Sequence, residues 1–406
     1  MYRLAATISA AAIGATTRDG ARLQFGPPSI VGEDYYATGF QGFGDGFHAI
    51  GQATGGWYGT SDGGRTWSSV KFDGPGGYGD VHAAVLSADG TTINNLGNVT
   101  AVPDKMGRYT SFNSSLATYF TFSGDGTFSS AARATPITFR GLPQPATCGD
   151  KHHPGAFGCP FRTGGRGYVR LADGTLVMSI IVFWDGAHAN PDPKLASTAT
   201  SVVAFRATDG VGLQWDYAGT ILDAASAPTS EEGPNENDLT LMADGTILCV
   251  LRLDAGDGEK TRPYRPYVRS MSKDGGKTWS AAVSLGDGVG CARPRLLSLG
   301  ERALLLSGGR LSPTNRDVLL WLNAAGDAVS WEAHSITYWH NRLEPNASLH
   351  FDAAVNASTA RETTSYTSLV KTGKASGFIV YARHLPPAQD VAFAMPFDVV
   401  DDLVEA

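Results

Sequence analysis

Charged side chains are scarce in this chain: Asp, Glu, Lys and Arg together make up 17% of its 406 residues. What charge there is leans acidic, with a formal net charge of −7. That balance leaves no basic footprint for nucleic acid or an anionic membrane surface. Cysteine is scarcer still. Cys148, Cys159, Cys249 and Cys291 are too few for a disulfide framework and lack zinc spacing. Cys148 and Cys159 can close a local loop in an oxidising compartment, Cys249 lies in an apolar run and reads as a small core residue, and Cys291 stays undecided. No apolar run approaches the length of a membrane span; the longest, Thr175 to Trp184, has the length of a strand. Low-complexity tracts and long charge runs are missing as well.

Glycine and aromatics are plentiful instead, with 50 Gly, 8 Trp, 14 Tyr and 18 Phe. Many glycines among many aromatics suggest short strands and tight turns rather than helices. At 42% hydrophobic, a chain of this length can bury a large core. The amino-terminal run from Leu4 to Ala15, behind Arg3, reads as a weak secretory signal within a segment 1–29. Asn-X-Ser/Thr sequons at Asn98, Asn113, Asn346 and Asn356 agree with a secreted or lumenal location.

Two repeats organise the remainder. The first is a tight-turn motif, clear in Ser61-Asp62-Gly63-Gly64-Arg65-Thr66-Trp67 and in Ser272 to Trp279. Degenerate copies run from Ser123 to Phe128, from Thr208 to Trp215 and from Asn323 to Trp331. Each copy needs an Asp to hydrogen-bond the turn backbone, Gly where φ must be positive, and an aromatic to pack back between sheets. These turns read as structural punctuation. The second repeat is a pair of apolar strands about a Gly turn: Asp45-Gly46, Asp89-Gly90, Asp173-Gly174, Asp244-Gly245, Gly300-Glu301 and Thr372-Gly373. Asp-Gly between apolar runs is a strong hairpin signal. Five hairpins lead into an aromatic turn, and the sixth leads into Val391 to Val400, which can supply outer strands. The expectation is an all-β fold: one six-bladed β-propeller of four-stranded antiparallel blades over residues 30–406. Two long connections, Gly141 to Gly167 and Thr337 to Thr364, interrupt it.

Chemistry is expected at one end of the innermost strands. A residue just before a hairpin and one just after it share one rim, because the chain reverses at the turn. Glu236 and Arg252 are so placed around Asp244-Gly245. Arg310 and Arg316 follow the hairpin of the fifth unit, and Tyr366 opens the first strand of the sixth. An acid, arginines and a tyrosine converging on one cleft suit anion recognition and nucleophile activation.

This ordered set resembles the sialidase (neuraminidase) superfamily, whose aromatic turns are called Asp boxes or BNR repeats. Glu236-Asn237, Leu241, Asp244-Gly245 and Arg252 look like that family's acid-to-second-arginine segment, Arg316 is similar to its third arginine, and Ser365-Tyr366-Thr367-Ser368-Leu369 to its nucleophile strand. The resemblance implies an exo-glycosidase that hydrolyses a terminal sialic acid or related acidic sugar from glycoconjugates with retention. Tyr366 would be the nucleophile, Glu236 its base, and Arg252 and Arg316 the carboxylate clamp, with Arg310 beside them. A carboxylate nucleophile would meet repulsion from the carboxylate on the sugar's anomeric carbon, and a tyrosine avoids it. No cofactor and no metal are called for.

The first unit departs from the family pattern. Asp34 to Gly39 has no arginine where the family carries one, and Gly51 to Gly56 has no acid. Asp80, His82 and Asp150 are candidate acid/base residues, with His152 and His153 nearby, and Arg162 and Arg166 can supply positive charge. Two alternatives remain open: a non-catalytic propeller that binds an acidic glycan, and a propeller polysaccharide lyase acting on uronic-acid polymers.

Overall fold

The computed structural model describes residues 20–33, 37–42, 46–52, 57–73, 84–88, 92–95, 99–103, 105, 109–114, 118–122, 127–132, 137–144, 161–162, 168–184, 200–227, 233–253, 265–290, 292–309, 317–351, 363, 366–385 and 389–401. Among these residues the chain is mostly β and forms six sheets. Numbered by their first strands, sheet 1 runs Ala37–Gly42, His48–Gln52, Trp57–Thr60 and Ser68–Ser69. Sheet 4 runs Pro234–Leu241, Ile247–Leu253, Val268–Ser272 and Val283–Ser284. Sheet 5 runs Arg295–Ser298, Leu304–Gly308, Leu319–Asn323 and Glu332–Ser335. These three are the four-stranded antiparallel units that the repeats predict.

The other three differ. Sheet 2 (Ala84–Leu86, Thr92–Asn95, Thr118–Phe122, Thr127–Ala132) gains Lys71–Asp73 as a parallel edge. Sheet 3 (Tyr168–Arg170, Leu176–Phe183, Thr200–Ala207, Gln214–Leu222) is extended to eight strands. Its outer edge takes Ile137–Arg140 in parallel, and that strand carries the hairpin of Val99–Pro103 and Tyr109–Ser114. The hairpin interrupts sheet 2 in the chain yet pairs in sheet 3, covering an edge that would otherwise be open. In sheet 6, Thr367–Lys371 and Ser376–Leu385 are followed by the 13-residue strand Gln389–Asp401. Its neighbour comes from the other end of the chain: Ala21–Phe25 pairs along it from Ala21↔Asp401 to Phe25↔Phe397, and Ser29–Glu33 pairs further along. Sheet structure thus begins ahead of residue 30, where the sequence placed the domain start. The expected leader before it lies outside the described residues.

Alternation along the strands explains the stacking. In Ile247–Leu253, Ile247, Cys249 and Leu251 pack with Val177, Ile181, Val202 and Ala204 of sheet 3. Leu248 and Val250, on the opposite face, pack with Leu296, Leu304 and Leu306 of sheet 5. A strand with both faces buried must be apolar throughout, and this one is until Arg252. Each fully buried aliphatic side chain stabilises by about 1.5–3 kcal/mol. Cys249 is the buried core thiol that the sequence suggests. A third cluster joins sheets 5 and 6, and a fourth joins sheets 6 and 1. First strands of sheets 3, 4, 5, 6 and 1 neighbour one another in that succession.

The aromatic turns fasten neighbouring sheets. Asp62 accepts from the Arg65 and Thr66 amides at 3.0 and 2.9 Å and from the Thr66 hydroxyl at 2.7 Å. Asp274 repeats the pattern with Lys277 and Thr278. The Trp67, Trp215 and Trp279 indoles each donate to the carbonyl of the glycine three residues back. Gly276 has φ +88°, and a Cβ there would stand 2.7 Å from Val177 of sheet 3, so glycine is required both for the turn and for the approach.

The long connection from Thr337 is not wholly a loop. A helix, Ile336–Leu343, starts on an N-cap at Ser335, whose hydroxyl accepts from the Tyr338 amide. His340 on this helix is fully buried beside Tyr381 and Phe393. Among the described residues no helix is long and apolar enough to cross a membrane.

Candidate active site

Pro234–Leu241 and Ile247–Leu253 form the hairpin that builds the site. Gly245, at φ +84°, makes the turn, and the Asp244 carboxylate accepts the Thr246 amide at 2.9 Å. The register runs evenly from Leu241↔Ile247 to Asn237↔Leu251 and then slips before Pro234↔Leu253. Asn235 and Glu236 therefore sit in a bulge. Bulges re-aim side chains beside functional sites. Here the Asn235 carbonyl accepts the Asn237 side-chain amide at 2.8 Å. Glu236 faces Arg252, which closes the second strand, and Nη1 of Arg252 lies 2.5 Å from Oε2 of Glu236. The rim pairing of these two residues stands as the sequence predicted it.

Tyr366 enters immediately before Thr367–Lys371 of sheet 6. The Thr367 hydroxyl bonds that of Ser307 at 2.7 Å, which ties the root of this strand to sheet 5. The Tyr366 hydroxyl stands beside the Glu236 carboxylate, and each shifts the other's proton affinity. An acid from sheet 4 and a tyrosine from sheet 6 thus meet, with sheet 5 between them.

Sheet 5 supplies a residue that the sequence reading passed over. Arg293 places Nε 3.3 Å from Oε1 of Glu236 and lays its guanidinium over the Tyr366 ring, 4.9 Å from the centroid. It is delivered by unusual backbone. Ala292 has φ +66°, rare for a residue with a Cβ, and is fully buried, with its carbonyl accepting the Tyr267 hydroxyl at 2.9 Å. The signal for Arg293 was its place just ahead of the first strand of sheet 5, the same placement that drew attention to Glu236 and Tyr366.

The electrostatics follow from these contacts. Burial works to raise the Glu236 carboxyl, but the charges of Arg252 and Arg293, with hydrogen bonds from Arg252 and Tyr366, outweigh it and hold the group at about 2. The Glu236 charge and then burial push the Tyr366 hydroxyl well above its ordinary range, against the pull of the two guanidiniums. At neutral pH the cluster therefore holds a carboxylate, a protonated phenol and two cations. Arg252 is the more enclosed cation, its side chain 4% exposed against 15% for Arg293. Beneath the cluster, two residues further along their strands, Asp238 and Arg295 line a cavity of about 390 Å³ together with Arg170 and Leu369. Asp238 accepts the Leu296 amide at 2.9 Å, joining sheets 4 and 5 just below the rim.

Of the other residues singled out from the sequence, Arg310, Arg316, Asp80, His82, Asp150, His152, His153 and Arg166 lie outside the described residues. So do Asp34 to Tyr36 and Ala53 to Gly56, where the family pattern was missing. Arg162 lies in the short strand Phe161–Arg162, pairing in register with Ile181.

No family model matches the sequence, and a search of curated proteins finds no relative. The fold has solved counterparts. A protein of unknown function from Dyadobacter fermentans aligns over 93% of this chain and 99% of its own, at 13% identity and a TM-score of 0.52. A Hadza microbial sialidase aligns over 91% of this chain and 66% of its own, at 14% identity and a TM-score of 0.52. A polysaccharide lyase described as an ulvan lyase aligns over 91% of this chain and 95% of its own, at 11% identity and a TM-score of 0.44. At such identities the likeness is one of fold.

Proposed function

We propose that this protein is a six-bladed propeller enzyme of the sialidase kind, which releases a terminal sialic acid or related acidic sugar with retention. The observation that carries this reading is the meeting of Glu236 and Tyr366 at one guanidinium, that of Arg293, with Arg252 on the same carboxylate. In the first step the Tyr366 O–H bond breaks and its proton passes to Glu236. The freed oxygen pair bonds the anomeric carbon, and the glycosidic C–O bond breaks with its electrons leaving on the aglycone oxygen, which takes a proton from a general acid. Asp80, His82 and Asp150 are the candidates for that acid. In the second step water gives a proton to the conjugate base of the general acid and bonds the anomeric carbon. The C–O bond to Tyr366 breaks with its electrons leaving on the phenol oxygen, and Glu236 returns the proton to that oxygen. A tyrosine is a poor nucleophile at its free pKa near 10, so a base in direct contact is a requirement of the chemistry. The Arg252 guanidinium, with Arg316, suits the planar bidentate grip that a sugar carboxylate offers. The aromatic turns fit the Asp-box description, and a secreted or lumenal setting would give such an enzyme access to glycoconjugates.

The test is direct. The purified chain should release fluorophore from a fluorogenic sialoside, and a fluorinated acidic-sugar inactivator should leave a covalent adduct that peptide mass spectrometry places on Tyr366. No release from a panel of acidic-sugar glycosides overturns the hydrolase reading. An unsaturated, ultraviolet-absorbing product from a uronic-acid polymer would move the same cluster to lyase chemistry.

A further inference from the structure

We propose that Arg293 is a positioning residue for Tyr366: its guanidinium, laid over the phenol ring and anchored on Glu236, stabilises phenolate character as the hydroxyl gives up its proton. The inference rests on the proposed role of Tyr366 as nucleophile, and it concerns a residue outside the set on which the resemblance to sialidases rests.

The geometry is specific. A proton passing from Tyr366 to Glu236 moves negative charge from the carboxylate to the phenol. Arg293 touches both places, with Nε 3.3 Å from Oε1 of Glu236 and its guanidinium carbon 4.9 Å from the centre of the Tyr366 ring. A cation shared in this way keeps its attraction throughout the transfer. Its pull on the ring grows as charge delocalises into it, so the contact is worth more in the transition state than in the ground state. Arg252 has the opposite bias in its strongest contact, the 2.5 Å bond to Oε2 of Glu236, which favours the carboxylate and so resists the transfer. The backbone around Arg293 fits a positioning role. Ala292 is held at φ +66° with no exposed surface, and the Tyr267 hydroxyl fixes its carbonyl. Strain of this kind persists where the surroundings over-determine it. In the resting protein both guanidiniums already draw the Tyr366 hydroxyl downward, against the Glu236 charge and burial.

The experiment places difluorotyrosine at position 366, so that the ring titrates where the protein is folded, and follows its own fluorine resonance against pH. Arg293→Gln should move that titration to higher pH, and Arg293→Lys should return part of the shift. A cation over a ring contributes about 0.5–2 kcal/mol, which corresponds to a shift of up to about 1.5 pH units. The same range predicts that kcat of Arg293→Gln falls roughly 2- to 30-fold with KM little changed. A titration that stays in place or moves down in Arg293→Gln overturns the inference. So does an Arg293→Lys protein, folded by circular dichroism, that titrates with the Gln variant. The titration needs no turnover. A shift in the expected direction from a protein that cleaves no acidic-sugar glycoside would sustain the Arg293–Tyr366 coupling while sinking the hydrolase reading.

Discussion

Glu236 and Asp62 are both carboxylates held at about 2, and they do different things. At Asp62 slight burial pushes upward and is outweighed by the Thr66 hydroxyl and amide, the Thr60 hydroxyl and the Arg65 amide. All its partners are neutral, and all lie within four residues. At Glu236 the stronger push of burial is outweighed by two cations, Arg252 sixteen residues away and Arg293 fifty-seven residues away, with a phenol on the same carboxylate. A depressed carboxyl therefore does not mark a functional site by itself. The discriminating features are charge in the partners, sequence distance to them, and a titratable group placed to exchange a proton. Asp62 shapes a turn, whereas Glu236 gathers two cations and a phenol from other parts of the chain.

The largest expected effect separates the two regions by activity. Tyr366→Phe removes one hydroxyl from the rim cluster and should reduce turnover of an acidic-sugar glycoside by about a thousandfold or more, the cost of losing a nucleophile. The melting temperature should move little, because the ring and its contact with Arg293 remain. Comparing initial rates with thermal scans of the same preparation checks both halves. Arg252→Met acts chiefly on stability. It leaves Glu236 largely enclosed with one cation fewer, and breaking such a pair costs about 3–5 kcal/mol. Urea unfolding should show that loss, together with an acid limb displaced to higher pH as the Glu236 carboxyl rises.

Much of this contrast was legible in the sequence, and the parts that were not share a cause. The turn at Asp274 is spelled out by eight consecutive residues, since all its hydrogen bonds are local. The Glu236–Arg252 pairing was legible because an Asp-Gly hairpin returns the chain to the rim from which it left. Arg293 was missed because its partners come from sheets 4 and 6 and because an alanine, not a glycine, takes the positive φ ahead of it. The slip that aims Glu236 is hidden for a similar reason, since neither Asn235 nor Glu236 is a glycine that would mark it. At the scale of the fold, the pairing of Ala21–Phe25 with residues 397–401 spans almost the whole chain, and no periodicity announces it. Attention to Arg310 and Arg316 came from their place after the hairpin of the fifth unit, whereas contacts across three sheets brought forward Arg293.

Acid titration should distinguish two buried groups in one experiment. The Glu236 carboxyl falls from 4.5 to about 2 on folding, so its contribution is present above 4.5 and is lost as pH falls from there through about 2. From that shift the contribution is about 3 kcal/mol. His340 is also lowered, to about 4 from 6.5, first by burial and then by the nearby Arg383 charge, against the Leu349 carbonyl. That carbonyl can only accept, so Nε2 carries the proton and Nδ1 accepts from the Tyr381 hydroxyl at 2.8 Å. Its contribution is present above 6.5 and is lost as pH falls from there through about 4. Unfolding free energy measured against pH should therefore decline in two stages. His340→Gln should shrink the upper stage, to which His334 also contributes, and Glu236→Gln the lower, to which Asp62 also contributes. A single unbroken decline that neither variant alters would show that these groups do not govern acid stability.

The smallest expected effect bears on the turns. Asp274→Asn keeps an oxygen for the Lys277 and Thr278 amides, which lie 3.1 and 2.9 Å from Oδ1. It puts an amide where the Thr278 hydroxyl donates to Oδ2 at 2.6 Å, so that hydroxyl must turn to accept instead. The net loss should be about 0.5–1.5 kcal/mol, the worth of one hydrogen bond. Turnover should stay at the parental value, because Asp274 holds the turn after the third strand of sheet 4 whereas Glu236 opens the first, and the hairpin at Asp244-Gly245 lies between them in the chain. Kinetics and urea unfolding of Asp274→Asn beside Glu236→Gln put the division to its hardest test. A fall in kcat matching that of Glu236→Gln would mean that the turn transmits to the rim, and the separation of structural from chemical carboxylates would fail.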